Sequence, residues 1–308
     1  MSKTALLFAG QGAQVVGMGR DLAEKFPSAQ AWFDRANTAL GYDLAGICFH
    51  GPAAELTQTE HAQPGIFLVS WVAFQQLKEQ VPQLKFEATA GLSLGEFTAL
   101  TAAGAMSFED GLRVVRQRGK FMQEACDVTQ GGMAAIIGLD EAPTREVCAE
   151  AGVVLANLNC PGQLVISGAA EKILKACDLA SAKGAKRALP LPVAGAYHSP
   201  LMASAQPKLA VELAKVNWVT PTVPVISNVT ALAHGAPPEI SARLVAQVCA
   251  SVLWENSVRA LLAQGFTRFI ELGPGTALSG FMKRIDKTVT MLNVADAASL
   301  EATVKALA

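Results

Sequence analysis

The 308-residue sequence has almost no net charge, −1 at pH 7 from 25 basic and 26 acidic side chains. Without an excess of either sign, no global field draws the chain to nucleic acid or to a membrane surface, although local basic clusters can still dock an acidic partner. The six cysteines, Cys48, Cys126, Cys148, Cys160, Cys177 and Cys249, contain no Cys-x-x-Cys pair. None stands at a metal-ligand spacing from the four histidines, His50, His61, His198 and His234. This pattern reads as small buried hydrophobes in a reducing compartment, with neither disulfides nor zinc. No uninterrupted apolar run reaches membrane-spanning length, and the apolar stretch after Met1 is too short for a secretory signal. A soluble cytoplasmic protein is expected.

Nucleotide-binding signatures are missing as well. Thr4 to Ala9 is a short apolar run that reads as a buried parallel strand, and it ends in Gly10-Gln11-Gly12-Ala13-Gln14. A dinucleotide fingerprint needs a third glycine where Val15 stands, and an acidic residue at the end of a second strand about 20 residues on, which is absent. There is no Gly-Lys-Ser/Thr, hence no P-loop.

What is present is apolar material. At 51% hydrophobic residues, the chain can build one large core or two smaller ones. Periodicity predicts helices over 21–25, 29–40 and 64–77, then a strand over 86–90 and a helix over 97–103. A helix pair is expected through 108–126. The texture changes near Asp127: strand 133–139, helix 142–151, strands 153–158 and 164–167, helix 171–182 and strand 187–193 give β-α-β-β-α-β, the split βαβ order. Alternating strands and helices then resume to the C-terminus. The expected fold class is α/β, with one domain made from both ends of the chain, 1–127 and 199–308, and an α+β insert over 128–198.

The chemistry centres on Gly91-Leu92-Ser93-Leu94-Gly95-Glu96, between the predicted strand and helix. Gly-x-Ser-x-Gly in that setting has the form of a nucleophile elbow, with the serine at a helix N-terminus where free N–H groups favour negative charge. A serine nucleophile needs a base. His50 and His61 fall in polar, loop-like stretches, and His234 beside Gly235-Ala236-Pro237-Pro238 reads as surface. His198 stands at the junction where the insert returns to the main domain, a position that often forms a cleft wall. A hydrogen-bonded core or helix-cap histidine fits the same spacing. Asp110, Asp127, Asp140 and Asp178 all read as helix starts or surface, and the His-Gly-Gly-Gly oxyanion motif is absent, so a Ser–His dyad fits better than a hydrolase triad. Arg118 has a guanidinium fork suited to a carboxylate, yet among Arg113, Arg116 and Lys120 it also reads as one member of a solvated helix face.

Six motifs occur in order: Phe8-Ala9-Gly10-Gln11-Gly12-Ala13-Gln14, Gly91–Glu96, Arg118-Gly119-Lys120-Phe121-Met122, Asn159-Cys160-Pro161-Gly162-Gln163, Gly195-Ala196-Tyr197-His198-Ser199-Pro200-Leu201-Met202 and Glu271-Leu272-Gly273-Pro274-Gly275. Together they resemble the malonyl-CoA:acyl-carrier-protein transacylases, the stand-alone enzymes of fatty-acid synthesis. The resemblance implies an α/β-hydrolase-like large domain with a ferredoxin-like insert. It implies ping-pong transfer from malonyl-CoA through a malonyl-Ser93 ester to the phosphopantetheine thiol of acyl carrier protein, with no bound cofactor and no metal. His198 is then the base, the backbone N–H groups of Gln11 and Leu94 the oxyanion hole, Arg118 the carboxylate clamp, and the backbone carbonyl of Gln247 the partner that orients His198. Tyr197, just before the histidine, implies malonyl over methylmalonyl. A transient carrier-protein partner and a monomer are expected. Lys183, Lys186 and Arg187 on the insert and Lys283, Arg284 and Lys287 on the main domain are candidate docking clusters. Three positions depart from the family pattern: Leu92 where histidine is common, Ala9 for proline and Cys160 for serine. Other readings are a trans-acting acyltransferase for a polyketide synthase, a serine hydrolase or thioesterase that would have no use for Arg118, and a degenerate carrier-binding protein.

Overall fold

The computed structural model describes residues 2–308. Nine strands form among the described residues: β1 Lys3–Phe8, β2 Ala88–Gly91, β3 Gly131–Ile137, β4 Val154–Cys160, β5 Gln163–Ala169, β6 Arg187–Pro190, β7 Val225–Ile226, β8 Phe266–Leu272 and β9 Thr290–Val294. They make two sheets. The larger runs β7-β2-β1-β8-β9 with every neighbour parallel, so the two ends of the chain share one sheet. β1 lies at its centre and is buried on both faces, which is why Ala5 to Phe8 is unbroken apolar sequence rather than an alternating pattern. Phe8, Phe67, Phe97 and Phe33 belong to the core on one side of this sheet, and Leu7, Trp254 and Phe269 to the core on the other.

The smaller sheet runs β4-β5-β3-β6, all antiparallel. Helices Glu141–Ala151 and Ala170–Ala182 pack on it over a separate core that includes Ile136, Val147, Ile166 and Ile173. The insert does not hang free. Leu158 N donates to Val252 O at 3.0 Å and Val252 N to Ala156 O at 2.8 Å, so a main-domain segment extends the edge of β4. Arg284 reaches across to Gln163 Oε1 and Gly162 O.

Several elements differ from the sequence expectation. The helix expected over 64–77 is Thr59–Gln80, with Pro64 inside it. Proline normally marks a helix start because it lacks the N–H and crowds the preceding turn. Here the earlier turn is held by tertiary contacts instead: Thr59 and Gln63 are both buried and hydrogen-bonded across the site. The expected helix pair is one 21-residue helix, Phe108–Val128. Gly119 does not break it but marks a crossing, since a Cβ there would lie 2.4 Å from Thr59 O. Helices Leu44–His50, Ala53–Thr57 and Ala205–Leu213 are additional to those expected; the first two are two turns or shorter. The last strand of the insert stops at Pro190, short of 193.

Candidate active site

β2 passes into helix Gly95–Ala102 through Leu92, Ser93 and Leu94 alone. Ser93 has φ 51°, a left-handed conformation that a non-glycine residue adopts only when its surroundings impose it. The flanking glycines impose it by close approach. A Cβ at Gly91 would sit 2.0 Å from the Gly95 carbonyl, and one at Gly95 would sit 2.2 Å from Phe8 O. Asn228, just past β7, secures the turn from the side: its Oδ1 accepts from Ser93 N–H at 2.6 Å and its Nδ2 donates to Gly91 O at 2.8 Å.

His198 meets the elbow from the far end of the insert. Its Nε2 is 2.8 Å from Ser93 Oγ, and its Nδ1–H donates to Gln247 O at 2.8 Å. A carbonyl can only accept, so the proton is on Nδ1 and Nε2 is the free acceptor for the Ser93 hydroxyl. No carboxylate takes part: this is a dyad oriented by a backbone carbonyl. His198 is 5% exposed and itself has φ 58°. Burial first, and the Arg118 charge second, push its pKa down to about 4 from 6.5. The imidazole is therefore neutral, and competent as a base, across the physiological range. The rate of Ser93 phosphonylation by a fluorophosphonate should accordingly stay flat on acidification to about pH 5 and halve near pH 4, not near the ordinary histidine value. Stability follows the same group. The unfolded chain takes up this proton first, so its contribution to stability is complete above pH 6.5 and is withdrawn as the pH falls toward 4.

Arg118 points inward from helix Phe108–Val128 and is 1% exposed, which removes it from the solvated helix face. Its Nη2 donates to Ser93 Oγ at 3.1 Å and to Gln247 Oε1 at 3.0 Å, and its Nη1 to Gln63 Oε1 at 2.7 Å. The Phe97 ring centroid lies 5.4 Å from Cζ, and Nε has no partner. Burial lowers the pKa to about 10, with Glu96 opposing the fall, so the group remains a cation at neutral pH. This buried guanidinium lies within hydrogen-bond reach of Ser93, is served directly only by neutral acceptors, and keeps the Nε–H and one Nη1–H without a partner.

The loop after β1 stacks directly on this arrangement. A Cβ at Gly10 would lie 2.5 Å from Leu92 O, which brings Gln11 to the elbow, and Gln11 Oε1 accepts from Gln63 Nε2 at 3.3 Å. Leu94 is the N-cap of helix Gly95–Ala102, with its side chain buried. Tyr197 is buried beside His198, with its hydroxyl 2.7 Å from Thr59 Oγ1, and burial pushes its pKa up to about 12. The structure thus brings together every predicted site residue: Ser93, His198, Arg118, Gln247, Tyr197, Gln11 and Leu94.

A family model for the acyl transferase domain matches residues 5–303. The chain belongs to the acyl transferase domain family. It is 44% identical to a malonyl CoA-acyl carrier protein transacylase of Bacillus subtilis, over all of this chain and 98% of that protein. Among solved structures, an acyl-carrier-protein S-malonyltransferase from Bartonella henselae superposes with TM-score 0.95 at 40% identity, covering 99% of both chains. A malonyl-transacylase solved in complex with a type II PKS acyl-carrier protein superposes with TM-score 0.96 at 38% identity, covering 99% of this chain and 100% of that one.

Within this acyl transferase some polar residues escaped sequence reasoning. His234, expected at the surface, has a side chain with no exposure, and its Nε2 lies 2.6 Å from Glu96 Oε1. The Gly-Ala-Pro-Pro turn beside it is partly exposed, but His234 is tied to β7 by its backbone N–H to Val225 O and so faces inward. His50 and His61 lie in helices rather than loops, at the end of Leu44–His50 and within Thr59–Gln80. Gln63 and Asn228 gave one signal each: a glutamine between apolar and small residues of a buried helix, and an amide just after a strand that flanks the elbow strand. Leu92 is half-buried and packs against the apolar cluster that includes Ala90, Val252 and Trp254. Five of the six cysteines are buried and all six are free, and burial pushes the Cys48 thiol up to about 12. Among the described residues no group of three side chains could hold a metal ion, and no helix is long and apolar enough to cross a membrane.

Proposed function

We propose that the chain transfers the malonyl group of malonyl-CoA to the phosphopantetheine thiol of acyl carrier protein through a malonyl-Ser93 ester. Ser93 Oγ attacks the thioester carbonyl while His198 Nε2 takes its proton. The tetrahedral oxyanion is held by the backbone N–H groups of Gln11 and Leu94, at the elbow where the helix dipole adds positive potential. Collapse expels the CoA thiolate, which takes the proton back from His198. In the second half the carrier thiol gives its proton to His198, its sulfur attacks the ester, and Ser93 leaves with that proton. Arg118 holds the free carboxylate of the malonyl group throughout. The single observation that carries the reading is Arg118 Nη2 at 3.1 Å from Ser93 Oγ, a cation placed for an acyl group that has its own negative charge.

The remaining assignments belong to the same proposal. The Tyr197 ring, pinned by Thr59, stands beside the acyl pocket and crowds an α-methyl group, which favours malonyl over methylmalonyl. The large domain, 1–127 with 199–308, is α/β-hydrolase-like, and the insert 128–198 is ferredoxin-like; the β4-β5-β3-β6 order supports the latter. The cleft between them keeps water from the ester. The acidic carrier protein docks transiently on a monomer in the cytoplasm. The basic residues best placed for it are Lys186, packed on Gly138, and Arg284, packed on the adjoining Gly162, which join the two expected clusters into one surface. Lys183 is engaged with Glu146 at 2.8 Å and is the weaker candidate. The pathway served is fatty-acid synthesis. Delivery to a polyketide carrier is a second reading, favoured by the likeness to a transacylase solved with a type II PKS carrier.

Intact mass spectrometry after mixing with malonyl-, methylmalonyl- or acetyl-CoA tests the proposal. One malonyl adduct, mapped to Ser93 and discharged by holo-acyl carrier protein, is expected, with little adduct from the other two. Rapid release of free malonate without a carrier product would turn the assignment to a hydrolase.

A further inference from the structure

Behind the elbow lies a buried acid–imidazole pair that none of the steps above uses. Glu96, in the first turn of helix Gly95–Ala102, is fully buried. Its carboxylate accepts from three N–H donors: His234 Nε2 at 2.6 Å, Gln247 Nε2 at 2.7 Å and the Asn228 backbone at 3.0 Å. The His234 side chain is enclosed as well, though its backbone is partly exposed, and its Nδ1 has no partner. That orphan atom fixes the proton. An imidazolium would carry an Nδ1–H with nothing to accept it, whereas a neutral ring with its proton on Nε2 leaves only a bare lone pair. The pair is therefore a carboxylate and a neutral imidazole, one negative charge in the interior.

A buried charge needs a partner of opposite sign. Arg118 supplies it, with the Gln247 amide standing between. Gln247 Oε1 accepts from Arg118 Nη2 at 3.0 Å, while its Nε2 donates to Glu96 and, at 3.0 Å, to Ser93 O. Only one orientation of the amide serves all these neighbours. Turned over, its NH2 would face the guanidinium and its oxygen the carboxylate. No carboxylate touches Arg118 directly among the described residues.

We propose that Glu96 is the internal counter-ion of Arg118, joined to it through the Gln247 amide, and that His234 is the positioning residue that holds that carboxylate in place. The inference rests on the reading of Arg118 as the clamp for the acyl carboxylate. Its consequence is a tempered clamp. One negative charge already faces the guanidinium from behind, and the malonyl carboxylate brings a second to its open side. The two anions repel through the site, so Arg118 grips the acyl group less tightly than a lone buried cation would. A transferase that must release the acyl group to a second acceptor gains turnover from that restraint.

The double variant Glu96→Gln/His234→Leu tests this. The new amide oxygen still accepts from Gln247, and leucine removes the imidazole donor that would otherwise face the amide NH2. For acylation of Ser93, KM for malonyl-CoA should fall about tenfold, the effect of deleting one like charge across a site of effective dielectric about 20. KM for acetyl-CoA, whose acyl group has no charge for Arg118 to hold, should stay unchanged. A merely structural role moves both constants together. An unchanged malonyl-to-acetyl ratio, or a raised malonyl KM, overturns the counter-ion assignment. The wild-type protein provides a test that does not depend on the double variant folding. In nitrogen-resolved NMR, with the ring identified by its loss in His234→Gln, His234 should be a neutral imidazole protonated on Nε2 that shifts when Ser93 is malonylated and not when it is acetylated. An imidazolium, or a ring indifferent to the acyl charge, overturns the proposal. Arg118→Ala separates the two levels. Malonyl preference surviving in that variant removes the clamp reading itself, whereas preference lost there but unaltered in the double variant removes only the role of Glu96.

Discussion

Ser93→Ala should leave a folded protein that forms no malonyl adduct and transfers malonyl to carrier protein roughly 10⁵- to 10⁶-fold more slowly than wild type, the loss typical when a nucleophile that works as a unit with its base is removed. Folding should survive because the elbow is not held by the hydroxyl. Its left-handed turn is fixed by Asn228 Oδ1 on the Ser93 N–H and by the close approach of Gly91 and Gly95, none of which the substitution touches. What alanine does remove is the acceptor of Arg118 Nη2 and the donor to His198 Nε2, so two buried polar groups each lose one partner. That should lower stability by about 1–3 kcal/mol. Thermal melts would register this modest cost, while intact mass and carrier-acylation assays register the chemical one. A malonyl adduct that persisted in the alanine variant would move the nucleophile elsewhere.

The contrast between the elbow and the network behind it shows what a sequence discloses. Ser93 was legible locally, from glycines two residues either side of it, whereas His198 also fitted a core or cap histidine and Arg118 a solvated cluster with Arg113, Arg116 and Lys120 until the ordered motifs singled them out. Their mutual placement was legible only through the six ordered motifs, since 105 positions separate Ser93 from His198 and 129 separate Arg118 from Gln247. Asn228 and Gln63 carried one weak local signal each and His234 none, because their partners come together only after parallel strands from both ends of the chain close into one sheet. His234 shows the failure plainly. A Gly-Ala-Pro-Pro neighbour reads as surface, but β7 pairs with the elbow strand β2, and the chain after β7 doubles back antiparallel on β7 and turns the imidazole inward. Helix limits failed for a similar reason. Pro64 is a local stop signal overruled by the buried hydrogen bonds of Thr59 and Gln63, at the crossing where Gly119 meets the Thr59 carbonyl. That crossing also sets Arg118 and Gln63 side by side, hydrogen-bonded at 2.7 Å.

Arg118→Ala should change which acyl group the serine accepts more than whether it accepts one. In the wild type the guanidinium is buried, cationic and short of an anionic ligand, so a malonyl carboxylate gains a bidentate, desolvated partner and an acetyl group leaves the fork unpaired. Deleting the fork should cut the rate of malonyl acylation by about 10²- to 10³-fold, the scale of truncating one member of a buried charge pair. Acetyl acylation should change little, because an uncharged acyl group makes no ion pair with the guanidinium. A second signature should appear in the same variant. The Arg118 charge helps hold the His198 pKa down, after burial, so its removal should move the acid limb of Ser93 phosphonylation upward from about 4 while leaving it below 6.5. The two readouts have separate causes: selectivity reports the contact with the acyl carboxylate, and the acid limb reports only the field at His198. An upward acid limb with malonyl preference intact would place Arg118 as an electrostatic neighbour of the dyad and remove it from substrate recognition. Lost preference with an unmoved limb would leave burial alone responsible for the low pKa of His198.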